Sequence, residues 1–217
     1  MRNKILIFFT GMFLLLVSFI NPKPKILIIG DSISIGYTPF VKSNLKDEAE
    51  VIHCKGNAKF TDNGIAHLDE WLGTEKWDII QFNWGLWDIC YRDPNKPAEY
   101  TNRDKIKGKI TTDKKTYEAN LQTMVNRLKQ TDAKLIFVTT TYVPDQEIGR
   151  YNKDVMAYNA IAKQVMKRNN IVVNDLYAVS KQIHDEYGLN DTNVHYKKEG
   201  YLKLAVTITE GLTKLLK

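Results

Sequence analysis

Beyond residue 24 the chain alternates two hydrophobic rhythms. Short apolar runs, rich in Ile and Val, occupy residues 25–30, 50–54, 77–83, 133–141 and 170–175. Such runs suit strands covered on both faces. Between them apolar residues recur every three or four positions, the period of an amphipathic helix. Ile65, Leu68 and Leu72 share one predicted face. Tyr117, Leu121, Met124, Val125 and Leu128 share a second, and Val155, Tyr158, Ala162 and Val165 a third. The stretch from Glu199 adds Leu204, Ala205, Ile208, Leu212 and Leu215. Alternating strands and helices predict an α/β chain with a five-stranded parallel sheet. Right-handed crossovers make it a three-layer α/β/α sandwich. No internal repeat or second domain interrupts the pattern, so residues 22–217 read as one domain. Residues 91–112 have neither rhythm and are expected as a long functional or mobile loop.

In open α/β sheets ligands bind beyond the carboxyl ends of the strands. Polar clusters follow the strands here: Gly30-Asp31-Ser32 after the first, residues 53–61 after the second, residues 83–88 after the third and residues 139–144 after the fourth. A site is expected at that edge.

Composition changes this picture at the N-terminus. The segment Met1 to Lys4 is basic, and residues 5–20 are apolar without a charge. That is the n-region and h-region of a secretory signal. No small-residue cleavage site follows, so an uncleaved membrane anchor is the alternative, although the run falls short of the ~20 residues of a spanning helix. Residues 1–21 are therefore set apart, and the protein is expected to be exported: periplasmic, secreted or anchored in the inner membrane. The net charge of +6 is scattered, with no basic block interleaved with aromatics, which argues against nucleic acid as a partner. The lysine-rich residues 102–115 read as an exposed loop. Cys54 and Cys90 both follow predicted strands, and a disulfide and two buried thiols are both open.

Ser32 stands where a buried strand ends in a turn. It reads either as a nucleophile or as a helix cap. A serine nucleophile needs a base, and the chain has four histidines. His53 falls in a strand, and His67 and His184 in helical patterns whose other polar residues face water. His195 lies in a polar loop before the last helix, with Asp191 four residues earlier to hold its tautomer. No G-x-S-x-G elbow, phosphate loop, dinucleotide fingerprint or H-E-x-x-H appears, and a structural zinc site finds too few ligands.

Gly30-Asp31-Ser32, Gly85-Leu86-Trp87-Asp88 after the third strand, and the terminal Asp191, Val194-His195 and Glu199-Gly200-Tyr201 together resemble the SGNH, or GDSL, hydrolases over most of residues 25–217. The third block is closest to a bacterial subgroup with Gly-Leu-x-Asp. The resemblance implies a flavodoxin-like fold and a serine esterase, with Ser32 as nucleophile, His195 as general base and neither metal nor organic cofactor. Two departures stand out. The family has Asn where Trp87 stands, and it spaces Asp-x-x-His, which puts Thr192 rather than Asp191 in register. The expected oxyanion or substrate donors are therefore Ser32 N–H, Gly56 or Ala58, Asn83, Gly85 and Trp87. Trp84, Trp87, Tyr91 and Tyr142 near the mouth suit a sugar ring, which favours a carbohydrate O-acetyl or other small ester as substrate. A degenerate binding module and a lipid or thioester esterase are the alternatives.

Overall fold

All five apolar runs become strands of one parallel sheet. The computed structural model describes residues 22–217, so the expected signal or anchor over residues 1–21 lies outside the described residues. In chain order the strands are β1 (Lys25–Ile29), β2 (Glu50–His53), β3 (Ile79–Phe82), the short β4 (Tyr91–Arg92) and β5 (Lys109–Ile110), β6 (Lys134–Val138) and β7 (Val172–Asn174). The large sheet runs β2-β1-β3-β6-β7, every pair parallel. Its order is that of the flavodoxin-like sheet. The first strand is paired on both sides, with Ile26 opposite Val51 and Ile79. Ile26, Leu27, Ile28 and Ile29 are consequently all buried. Each contributes roughly 1.5–3 kcal/mol relative to exposure.

Among the described residues six α-helices cover the sheet: α1 (Ser32–Asn44), α2 (Thr61–Leu72), α3 (Lys114–Leu128), α4 (Asn152–Arg168), α5 (Leu176–Tyr187) and α6 (Lys198–Leu216). α1 and α5 pack on α6, while α2, α3 and α4 pack in a row on the other side. Gly36 lets α1 meet α6, since a Cβ there would stand 2.2 Å from the Tyr201 ring. The predicted stripes of α3 and α4 are buried as expected. On α2 the stripe is rotated: Ile65 is exposed, and Thr61, Gly64, Leu68, Trp71 and Leu72 face inward. The larger Trp71 side chain takes the core position, stacking near Trp84.

The expected irregular stretch over residues 91–112 is instead tied down. β4 and β5 pair antiparallel. Tyr91 N–H donates to the Gly149 carbonyl (2.8 Å), and Lys105 N–H to that of Ile148 (2.8 Å). The excursion is thereby pinned against the segment before α4. Cys54 and Cys90 are both buried and free. Burial pushes the Cys54 thiol up to about 11, so it is a poor nucleophile.

Candidate active site

The turn after β1 divides its two polar residues between different tasks. Asp31, not Ser32, caps α1: its Oδ1 accepts from Ile33 N–H at 2.9 Å. It is buried, and that burial raises its pKa against the lowering effect of the Ile33 hydrogen bond and Arg150. With the cap supplied by its neighbour, the Ser32 hydroxyl is free. Its Oγ lies 2.8 Å from His195 Nε2. The Ser32 N–H sits in the first turn of α1, where N–H groups have no partner within the helix.

His195 is held by a small clasp between α5 and α6. A bridge joins Gly188 to Tyr196, and Leu189 N–H donates to the His195 carbonyl at 3.0 Å. Within it, Asn193 Oδ1 accepts from His195 N–H (3.0 Å) and lies 2.7 Å from His195 Nδ1. A carboxamide oxygen only accepts, so this contact assigns the ring proton to Nδ1 and leaves Nε2 free to accept from Ser32. His184, expected on a polar face, is buried. Its Nε2 is 2.7 Å from the Asn193 carbonyl, which fixes the clasp on α5. Burial lowers the His195 pKa, and Arg150 and Arg103 lower it further, all of which favour the neutral ring.

Asp191 does not take the orienting role expected of it. Asn190 Oδ1 accepts from both the N–H and the hydroxyl of Thr192, and the tight turn this makes leaves Asp191 exposed. Its carboxylate makes no hydrogen bond among the described residues. Asn193, only two residues before His195, has the short reach that a side chain folding back on its own turn requires. The Asn-x-His spacing was the available signal.

The expected oxyanion donors separate in the same way. Ala58 N–H is taken by the Gly30 carbonyl at 3.0 Å. Gly56 opens on a different depression, beside His53 and Lys42. The Asn83 amide donates to the Val138 carbonyl at 2.7 Å. Gly85 has φ +148°, and a Cβ there would meet Thr140 Oγ1 at 2.2 Å, so this glycine serves the turn. Trp87 alone of the set shares a pocket with Ser32 and His195. Its indole N–H has no partner among the described residues. Asp88, at the end of the same block, is structural: Oδ1 accepts from the N–H and hydroxyl of Thr61, holding the start of α2. Of the other aromatics, Trp84 is buried in the core, Tyr91 is bonded to Asp154, and Tyr142 packs on His184.

The pocket over Ser32 is about 20 Å³. Three arginines line it: Arg92, Arg103 and Arg150. None was singled out in the sequence, and Arg103 lies in the lysine-rich stretch expected to be an exposed loop. Its side chain is only 7% exposed. The tie between residues 91–112 and residues 148–149 turns it inward. Buried Glu147 accepts from Arg103 at 2.6 Å and from Arg150 at 3.0 Å.

The sequence profile of the GDSL-like lipase/acylhydrolase family matches residues 28–203, which is most of the chain. A search of curated proteins finds no match. Among solved structures, a lipase/acylhydrolase from Enterococcus faecalis superposes with a TM-score of 0.71 at 22% identity, covering 89% of this chain and 97% of that one. An acetyl xylan esterase from Geobacillus stearothermophilus does so with 0.67 at 17% identity, covering 90% and 95%. A further acetyl xylan esterase gives 0.68 at 18% identity, over 87% and 99%. At these identities the likeness is one of fold.

Proposed function

The chain belongs to the GDSL-like lipase/acylhydrolase family of ester-hydrolysing enzymes, and from that premise we propose that it is a serine esterase acting through Ser32 and His195 on short acyl esters of a carbohydrate. The observation that carries the reading is the 2.8 Å contact between Ser32 Oγ and His195 Nε2, with Nδ1 engaged by Asn193. Ser32 Oγ attacks the ester carbonyl carbon while His195 Nε2 takes its proton. As the tetrahedral intermediate collapses, the bond to the alcohol oxygen breaks and Nε2 returns that proton to the departing alkoxide. Water then attacks the acyl-enzyme with the same base, releasing the carboxylic acid and restoring Ser32. The negative oxygen is met by Ser32 N–H and by the indole N–H of Trp87, in place of the family's asparagine.

The short-acyl assignment leans on the acetyl xylan esterases that share the fold. The carbohydrate assignment leans on Trp87 at the mouth and on the acetyl xylan esterases that share the fold. The basic and apolar start of the chain, residues 1–20, supports export or N-terminal anchoring.

The test is hydrolysis of 4-nitrophenyl esters of increasing chain length, with capture of Ser32 by a fluorophosphonate. Activity highest on acetate, and lost together with capture in Ser32→Ala, is the expected result. Activity that rises with chain length overturns the short-acyl reading. A folded protein with neither activity nor capture overturns the serine mechanism.

A further inference from the structure

We propose that Arg92, Arg103 and Arg150 form a subsite for a carboxylate on the ester substrate, which makes the preferred substrate an acylated acidic sugar. This rests on the serine-esterase reading of Ser32 and His195 and adds a charge to the substrate. All three guanidinium groups line the same pocket as those two residues. They are buried or nearly so, with Arg92 and Arg150 each 4% exposed.

Their hydrogen bonds leave part of each guanidinium unused. Arg92 Nη1 donates to the Trp87 carbonyl (2.9 Å) and to Thr111 Oγ1. Arg103 donates from Nε to the Tyr100 carbonyl (2.8 Å) and from Nη1 to Glu147 (2.6 Å). Arg150 donates from Nε to the Leu86 carbonyl (2.6 Å) and from Nη1 to Glu147 (3.0 Å). Each therefore spends one edge on the protein, and each keeps an Nη2 without a partner among the described residues. The one nitrogen of the three groups that is both sealed from solvent and without a partner is Arg92 Nε. The Nη2 atoms are accordingly accessible, and the pocket these side chains line is where they can meet a ligand.

The direct ion pairing is equally incomplete. One carboxylate, Glu147, bonds two of the three guanidinium groups, Arg103 and Arg150, and among the described residues no carboxylate bonds Arg92. The other buried acids nearby act on these cations only through space, Asp31 on Arg150 and Asp88 on Arg92, while accepting their hydrogen bonds from Ile33 N–H and Thr61. Neither of them, nor Glu147, lines the pocket. Burying cations without counter-charge is costly. A planar carboxylate matches the paired donors of a guanidinium edge. The site is also rigid: Glu147 holds two of the arginines, and Arg103 lies 3.8 Å over the Tyr100 ring.

The decisive comparison is O-acetylated glucuronic acid against its isosteric, neutral glucuronamide, read as acetate release. The acid is expected to have a kcat/KM at least about tenfold higher, chiefly through KM. Arg103→Gln should bring the ratio near one, and Arg103→Lys should keep part of it. Where the single change fails to fold, Arg103→Gln combined with Glu147→Gln removes the buried pair together. Equal rates on the two esters, or a preference unchanged in a folded Arg103→Gln, overturn the proposal. Calorimetry on Ser32→Ala with glucuronate and glucuronamide asks the same question without turnover. Binding of the acid alone, lost in Arg103→Gln, supports the subsite, whereas equal binding or none overturns it. Fluorophosphonate capture in the wild type is read in parallel. A folded protein without capture refutes the esterase reading, and the calorimetry still decides the anion site.

Discussion

Two serines on the first turn of α1 each hold a histidine. Ser32 Oγ lies 2.8 Å from His195 Nε2, and Ser34 Oγ lies 2.7 Å from His53 Nε2. Distance does not tell the pairs apart. Two residues along a helix is a turn of about 200°, so the side chains leave on opposite sides. Ser32 faces the arginine-lined pocket, while Ser34 is buried and its Oγ is also 2.6 Å from the Asp31 carbonyl. His195 has its Nδ1 on a side-chain oxygen of a clasp, and His53 has its Nδ1 2.7 Å from the Cys54 carbonyl at the end of β2. The second pair is a backbone tie, joining the start of α1 to β2. What separates a nucleophile from a structural hydroxyl here is access, and hydrogen-bonding capacity left for a substrate.

The largest effect should fall where the pairs differ most. Ser32→Ala and His195→Ala are expected to lower turnover of 4-nitrophenyl acetate by at least about 10³-fold with little change in melting temperature. Ser34→Ala and His53→Ala should do the reverse. They keep turnover within several-fold and lose stability, by roughly 1–2 kcal/mol for the buried hydroxyl. Loss of fluorophosphonate capture in a folded Ser34→Ala protein would show that the two pairs act as one unit.

A second, smaller effect separates the orienting groups. Asn193→Ala removes the acceptor that fixes the His195 tautomer, and a neutral hydrogen bond of about 1 kcal/mol corresponds to roughly five- to tenfold in turnover. Asp191→Ala should change nothing, since its side chain is exposed and unbonded. The pH profile sharpens this. His195 must be neutral to act, so kcat/KM rises with pH through its pKa. Burial, then Arg150 and Arg103, put that limb below the ordinary 6.5. Asn193→Asp places a carboxylate beside Nδ1, favours the imidazolium and should move the limb to higher pH. A limb that stays in place would mean that residue 193 does not contact the ring in solution.

The features legible in the sequence were those with a period or a fixed motif. The strand runs and the α3 and α4 stripes follow from local patterns that no distant contact overrides, and the pairing of Ser32 with His195 was implied by the resemblance of their motifs. Ile65 was misplaced because two apolar residues compete for one face of α2, and volume decides in favour of Trp71. Asn193 was passed over for Asp191 because charge suggested the orienting group, whereas the turn geometry at Asn190 selected it. The arginine cluster left no local trace. Arg103 is brought in by bonds between residues 91–105 and residues 148–149, and a long-range tie of that kind has no period to read.

The smallest expected effect treats both histidines alike, and so completes the comparison. Burial lowers the pKa of His53 as well as that of His195. A folded-state pKa below the unfolded 6.5 means that the unfolded chain binds more protons in the window beneath that value. Stability is then fully present above pH 6.5 and is lost as the pH falls through the folded pKa of each ring. His53→Gln and His195→Gln should each flatten part of the fall in melting temperature between about pH 7 and pH 5. In the pH dependence of stability the two rings are interchangeable, because burial lowers the pKa of both. On turnover they are not, because only His195 accepts the proton of a hydroxyl that a substrate can reach. If His53→Gln left the melting profile unchanged while His195→Gln flattened it, His53 would be titrating as freely when folded as when unfolded. The backbone tie through Ser34 would then be weaker than its 2.7 Å contact indicates.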